Sequence, residues 1–105
     1  MSLYFNWTTS NIVAATSTTV GVEADLGENC DFVQVILPAL NSCTISVQVS
    51  DQSGGTFQAL GNGITTGTTT GSYSTMLKLG GYRYIKIISS AAQSNATIKV
   101  RGMKI

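Results

Sequence analysis

The stretch Thr44-Ile45-Ser46-Val47-Gln48-Val49-Ser50-Asp51-Gln52-Ser53-Gly54-Gly55-Thr56-Phe57, read with Gly80-Gly81-Tyr82-Arg83-Tyr84-Ile85-Lys86-Ile87-Ile88, decides the fold. In the first, Ile45, Val47 and Val49 alternate with Thr44, Ser46, Gln48 and Ser50. That is the period of two of a strand with one face on a core. A polar Ser-Gly-Gly turn follows, and the chain re-enters on Phe57. The second stretch leaves a Gly-Gly pair and places Ile85 and Ile87 on one side. Both describe strands of an antiparallel sandwich.

The same pattern extends outward. Leu3, Phe5 and Trp7 alternate with Tyr4 and Asn6, and Val20 and Val22 share one face of Thr18 to Ala24. Gly27-Glu28-Asn29 reads as a turn. Phe32 to Leu37 is mostly apolar and reads as a central strand, ended by Pro38, which cannot donate to a ladder. Thr56 to Leu60 is short, and Gly61 to Gly71 is a low-complexity loop or a pair of weak edge strands. Ser72 to Leu79 turns Leu77 and Leu79 inward. The last strand places Ile98 and Val100 on the core and Lys99 and Arg101 outside. No window of helical spacing interrupts this series, and β-branched residues dominate. The expectation is an all-β chain, one antiparallel β-sandwich or jelly roll of about eight strands. It forms a single domain over 1–105, with 1–11 a candidate N-terminal contact arm.

Composition narrows the chemistry. Charged residues make up 10% of the 105, against about 25% in an ordinary soluble domain. The polar surface therefore comes from Thr, Ser, Asn, Gln and Gly, as in an ordinary Thr-rich β-protein or in one largely covered by partners. The charges are segregated: Glu23, Asp25, Glu28, Asp31 and Asp51 precede Lys78, Arg83, Lys86, Lys99, Arg101 and Lys104. They can pair within one subunit or meet as opposite patches across copies. The sequence contains no histidine, which removes the commonest general base and metal ligand. Glu23, Asp25, Glu28 and Asp31 read as solvated edges and turns, with a calcium site as the alternative. No catalytic residue, metal ligand or cofactor is expected. Asp51 reads as a turn former whose side chain bonds its own backbone.

Cys30 and Cys43 read as reduced core thiols rather than a disulfide. The first residues lack a secretory pattern, and no run reaches the roughly 20 apolar residues of a membrane helix. Lys86, Lys99, Arg101 and Lys104 would form a basic stripe if the last two long strands pair, with Tyr82 and Tyr84 nearby. A net charge of +1 is a poor footprint for nucleic acid, so no direct nucleic-acid or membrane partner is expected. Trp7 reads as a core or subunit-contact residue. Tyr73, Tyr82 and Tyr84 are candidate glycan contacts.

The strand Thr44 to Ser50, its turn and return to Leu60, Gly81 to Ile87, and Ala96-Thr97-Ile98-Lys99-Val100-Arg101-Gly102 together resemble small β-sandwich virion proteins of tailed bacteriophages, many of them capsid decoration (cement) or fibre proteins. Similar strand–turn–strand patterns occur in carbohydrate-binding sandwiches. The phage resemblance covers roughly residues 30 to 105. It implies a non-enzymatic, homotrimeric protein made in the host bacterial cytoplasm and seated on the capsid surface of the virion, with the major capsid protein as partner. In that reading Leu3, Tyr4, Phe5 and Trp7 anchor the contact, and Arg83, Lys99 and Arg101 supply charged partners. The alternative is a carbohydrate-binding module of a fibre or virion surface.

Overall fold

The computed structural model describes residues 3–12, 19–60, 66, 68–91 and 93–104, with Leu3, Thr19 and Val20 described through their backbones. Eight strands appear in chain order: β1 (Leu3–Tyr4), β2 (Thr8–Thr9), β3 (Thr19–Val20), β4 (Ala24–Cys43), β5 (Ile45–Ser50), β6 (Gln58–Ala59), β7 (Thr69–Ser89) and β8 (Lys99–Lys104). All pairings are antiparallel, in the order β1-β8-β4-β7-β5-β6, with β2 also on β8 and β3 on β7.

Two strands are far longer than a usual strand of 5 or 6 residues, and they turn this one sheet into a sandwich. The first half of β7 pairs with β4, Leu77 facing Val33 and Met76 facing Gln34. Its second half pairs with β5, Ile85 facing Val49 and Ile87 facing Val47. Between the halves stand Gly80 and Gly81, with φ of 78° and 101°, conformations open to glycine and costly for residues carrying a Cβ. The Gly-Gly pair is thus a bend inside one strand rather than the start of a new one. β4 breaks register between Asp25 and Cys30, so Gly27-Glu28-Asn29 is an irregularity within a strand.

Folding the sheet over brings its two inner faces together. Val33, Val35, Leu37, Leu77, Leu79 and Val100 come from one leaf, and Ile45, Val47, Val49, Ile85 and Ile87 from the other. All are buried in a single cluster. Period-two side-chain alternation is what makes each leaf one-sided. Pro38 does not end its strand: β4 continues to Cys43. β8 pairs with β4 only as far as Ile36, so proline falls where β4 has a free edge and no ladder bond is lost. Cys30 and Cys43 are both buried and free, and burial pushes the Cys30 thiol pKa up.

The N-terminal segment seals the sandwich. Ser10, fully buried, donates its hydroxyl to the Val22 carbonyl at 2.7 Å and accepts from the Ile87 N–H at 3.1 Å. Its N–H donates to Ile98 C=O at 2.9 Å. One serine thereby ties residue 10 to both leaves. Gln93 does similar work: its amide accepts from the Asn41 N–H and donates to the Asn41 carbonyl, at 2.7 and 2.9 Å. Residues 61–65 and 67, the heart of the Gly61 to Gly71 reading, lie outside the described residues, as does the side chain of Val20; Val22 is exposed.

Candidate binding surfaces

The outer face of the β8–β4–β7 leaf follows from the same alternation. Because Val33, Val35 and Leu37 point inward, Phe32, Gln34 and Ile36 point out. Register places Gln34 between Arg101 and Met76, Ile36 between Lys99 and Ser74, and Phe32 between Met103 and Lys78. Over this stretch the outward positions carry Lys78, Lys99 and Arg101 and no carboxylate.

Arg101 organises the face. Its Nε donates to Gln34 Oε1 at 2.6 Å, and its guanidinium carbon lies 4.5 Å from the Trp7 ring centre and 4.6 Å from that of Tyr4. A guanidinium held between two aromatic rings gains from both ring quadrupoles. Trp7 is 42% exposed and Tyr4 51%, beside the exposed Ile36 and Met76. Trp7 is therefore not a core residue. A shallow depression of about 220 Å³ runs between Trp7, Thr8, Thr9, Ile36 and Lys99.

The expected contact residues divide accordingly. Tyr4, Trp7, Lys99 and Arg101 meet on this face. Phe5 is half-buried against the core and donates its N–H to Gly102 C=O. Leu3 pairs with Lys104 through its backbone, and its side chain lies outside the described ones. Arg83 is elsewhere, bound to Asp25 by two hydrogen bonds of 2.7 and 3.0 Å and stacked on Tyr84 at 5.2 Å. That guanidinium, with the Gly27 N–H, holds the Asp25 carboxyl below its ordinary pKa. Lys104 reaches Glu28 at 3.6 Å. Two of the separated charge pairs thus meet within one subunit, Arg83 with Asp25 and Lys104 with Glu28.

The basic stripe of Lys86, Lys99, Arg101 and Lys104 does not form. It required β8 beside β7, whereas β8 lies beside β4, and Lys86 sits over the Phe57 ring at 4.4 Å on the other leaf. Of the three tyrosines, Tyr73 stands apart, opposite Leu37, while Tyr82 and Tyr84 lie two positions apart on β7, opposite Cys30 and opposite Asp25 and Ser50.

A second surface, of whose residues the sequence singled out only Tyr82 as a binding candidate, lies at the end of the sandwich where residues 51–60 return. It is a cleft of about 320 Å³ bordered by Asp51, Thr56, Gln58, Leu60 and Tyr82. Its hairpin is closed by Ser50 rather than by Asp51: the Ser50 hydroxyl accepts from the Gln52 N–H and donates to the Gln52 carbonyl. Glu23 clasps the tip, accepting from the Gly54 N–H and the Ser53 hydroxyl, both at 2.7 Å. These bonds lower the Glu23 pKa. Gln34, Met76 and Gln58 carried no signal of their own; each acquires its place only through strand register.

Chemically, both surfaces offer recognition groups: rings, a guanidinium, an amide and a carboxylate. Among the described residues, no three of His, Cys, Asp or Glu are grouped to hold a metal ion.

No protein-family model matches the chain, and no curated protein matches it in sequence. Solved structures do. A SPBc2 prophage-derived protein, YomS, superposes with a TM-score of 0.61 at 17% identity, covering 99% of this chain and 96% of that one. Chitosan-binding module 1 of a chitosanase/glucanase from Paenibacillus sp. IK-5 gives 0.60 at 16% identity, over 92% of this chain and 76% of that one. At such identities the likeness is one of fold: the chain is an all-β sandwich of the architecture seen in a phage-derived protein and in a carbohydrate-binding module.

Proposed function

We propose that this chain is a non-enzymatic structural protein of a phage virion, a decoration (cement) protein that docks on the head through the Tyr4–Trp7–Arg101 face. The observation that carries the reading is the Arg101 guanidinium held between two half-exposed rings on a rigid sheet. Trp, Tyr and Arg are the residues enriched at interface hot spots, and a sheet face that is already ordered loses little entropy on docking. The phage-derived fold neighbour supports the setting. Lys78, Lys99 and Arg101 suit an acidic surface on the major capsid protein. Repetition over many copies, each copy a homotrimer, would turn a modest contact into firm attachment.

The test is occupancy on heads assembled without the protein. Trp7→Ala and Arg101→Ala should each weaken binding by roughly 30-fold, a hot-spot loss of about 2 kcal/mol, while Arg83→Ala leaves it unchanged. Trp7, the sole tryptophan, supplies a local readout: Arg101→Ala uncovers its ring, so emission should shift to the red and iodide quenching should rise. Unchanged occupancy in both face variants would remove this reading.

A second reading, a carbohydrate-binding module, draws support from the polar cleft beside Tyr82 and from the chitosan-binding fold neighbour.

A further inference from the structure

We infer that the cleft between residues 51–60 and Tyr82 is a saccharide site that takes neutral or amine-bearing sugars and rejects carboxylate-bearing ones. The inference rests on the second reading above and assigns it a place and a selectivity.

Three features converge there. The volume of about 320 Å³ lies at the lower end of the roughly 300–1,000 Å³ of small-molecule sites. Tyr82 borders it, its half-buried ring packed against the core cluster. A fixed aromatic face against which a ligand can lie flat costs little ordering. Around that ring stand Asp51, Thr56 and Gln58. Among the described residues their side chains have no hydrogen-bond or ion-pair partner, although the residues beside them, Ser50, Gln52, Ser53 and Gly54, are all engaged.

The unspent groups match a polyol. A carboxylate accepts only, an amide accepts and donates, and a hydroxyl does both, so adjacent sugar hydroxyls could find complementary partners at once. The hairpin carrying them is held from both ends. Ser50 closes its start, and Glu23 on a separate segment holds its tip. The site is therefore formed before any ligand arrives.

Charge sets the selectivity. Among the described residues Asp51 is the one charged residue lining the cleft, and Glu23 clasps the far side of the same hairpin. Of the neighbouring cations, Arg83 is paired with Asp25, and Lys86 lies over the Phe57 ring in the field of Glu23 rather than of Asp51. A uronate or sialate brought against Asp51 meets like charge, whereas a neutral hydroxyl or an ammonium meets an acceptor. The cleft also lies at the β5–β6 margin of the sheet, the opposite margin from β1 and β8. The two surfaces can be altered independently.

A glycan array carrying neutral, amine-bearing and carboxylate-bearing oligosaccharides, probed with the full chain, tests this. Titration calorimetry on the strongest hit follows, with Gln58→Ala, Asp51→Asn, Tyr82→Ala and Trp7→Ala. We expect hits among neutral or aminated glycans only. Gln58→Ala and Tyr82→Ala should weaken binding by about tenfold each, Asp51→Asn should weaken it and admit anionic glycans, and Trp7→Ala should leave it unchanged. Gln58 and Asp51 are exposed, so those variants keep the test valid if Tyr82→Ala fails to fold. Glycan binding that disappears with Trp7→Ala and survives Gln58→Ala would overturn the cleft while leaving a carbohydrate-binding module standing. Equal binding of anionic glycans by the unaltered chain would overturn the selectivity. An array without hits would overturn the site and the second reading together.

Discussion

Gly102 is where β8 has least room, and substituting it gives a quantitative check on the packing between the leaves. The residue is buried opposite Val33. A Cβ placed on it would overlap the Cys30 sulfur and stand 3.2 Å from the β-carbons of Cys30 and Leu26. Cys30 is itself fully enclosed, its thiol donating to the Glu28 carbonyl at 3.2 Å. Gly102 is not one of the positive-φ glycines, so alanine meets a steric problem alone. Overpacking of this kind costs about 1–3 kcal/mol, and each kcal/mol lowers Tm by roughly 4–8 °C in a domain of this size. Cys30→Ala removes the obstructing sulfur, at a loss on the order of 1 kcal/mol for the buried atom.

In the double variant the new methyl occupies part of the space the sulfur leaves. The two losses should therefore fall short of their sum by about 1–2 kcal/mol, within the range seen for touching residues. The 3.2 Å approach to Leu26 persists, so recovery should be incomplete. Thermal and urea unfolding followed by circular dichroism on all four proteins measures the cycle. If Gly102→Ala unfolds like the unaltered chain, or if the two losses simply add, the packing described between β8 and the β4 bend is wrong.

Two further outcomes follow from the polar contacts. Gln93→Ala should lower stability by about 1–3 kcal/mol, because the buried amide that bonds both backbone groups of Asn41 is lost; the urea midpoint should fall with its slope unchanged. Glu23 and Asp25 are both held below their ordinary values of 4.5 and 3.8. The folded state therefore binds fewer protons than the unfolded one in acid. Their contribution is complete above those ordinary values and disappears as pH falls through the lower folded-state ones. The pair variant Glu23→Gln with Asp25→Asn should flatten the acid limb of Tm against pH by lowering Tm at neutral pH and leaving it nearly unchanged in acid, and the drop should be modest because solvent screens both groups. An acid limb of unchanged steepness would show that other carboxylates carry it.

Much of the fold is legible in local pattern. Ile45, Val47 and Val49, Ile85 and Ile87, and Ile98 and Val100 are all buried, as their alternation requires. Which way a side chain points along a strand is a property of the strand itself. The two cysteines, read as core thiols, are buried and free for the same reason. The candidate binding surfaces were much less legible. Trp7 reads from the sequence as either a core or a subunit-contact residue, and the structure excludes the core, because Arg101 and the β1–β8 pairing hold its ring at the sheet margin. Asp51 has the usual chemistry of a turn former, but the neighbouring Ser50 makes the turn and leaves the carboxylate facing a cleft.

Alternation, the glycine positions and the absence of helical period determine that this chain forms strands, which residues face a core, and where a strand can bend. Those are consequences of backbone geometry within a few residues. Which strands become neighbours is decided only in the tertiary structure. Backbone ladders are chemically alike, so β8 could satisfy its hydrogen bonds beside β7 as well as beside β4; the fit of the whole core selects the partner. The pairing as a whole puts Gln34 against Arg101 across 67 positions of chain, separates Lys86 from Lys99, Arg101 and Lys104 on β8, and brings residues 51–60 back to Tyr82.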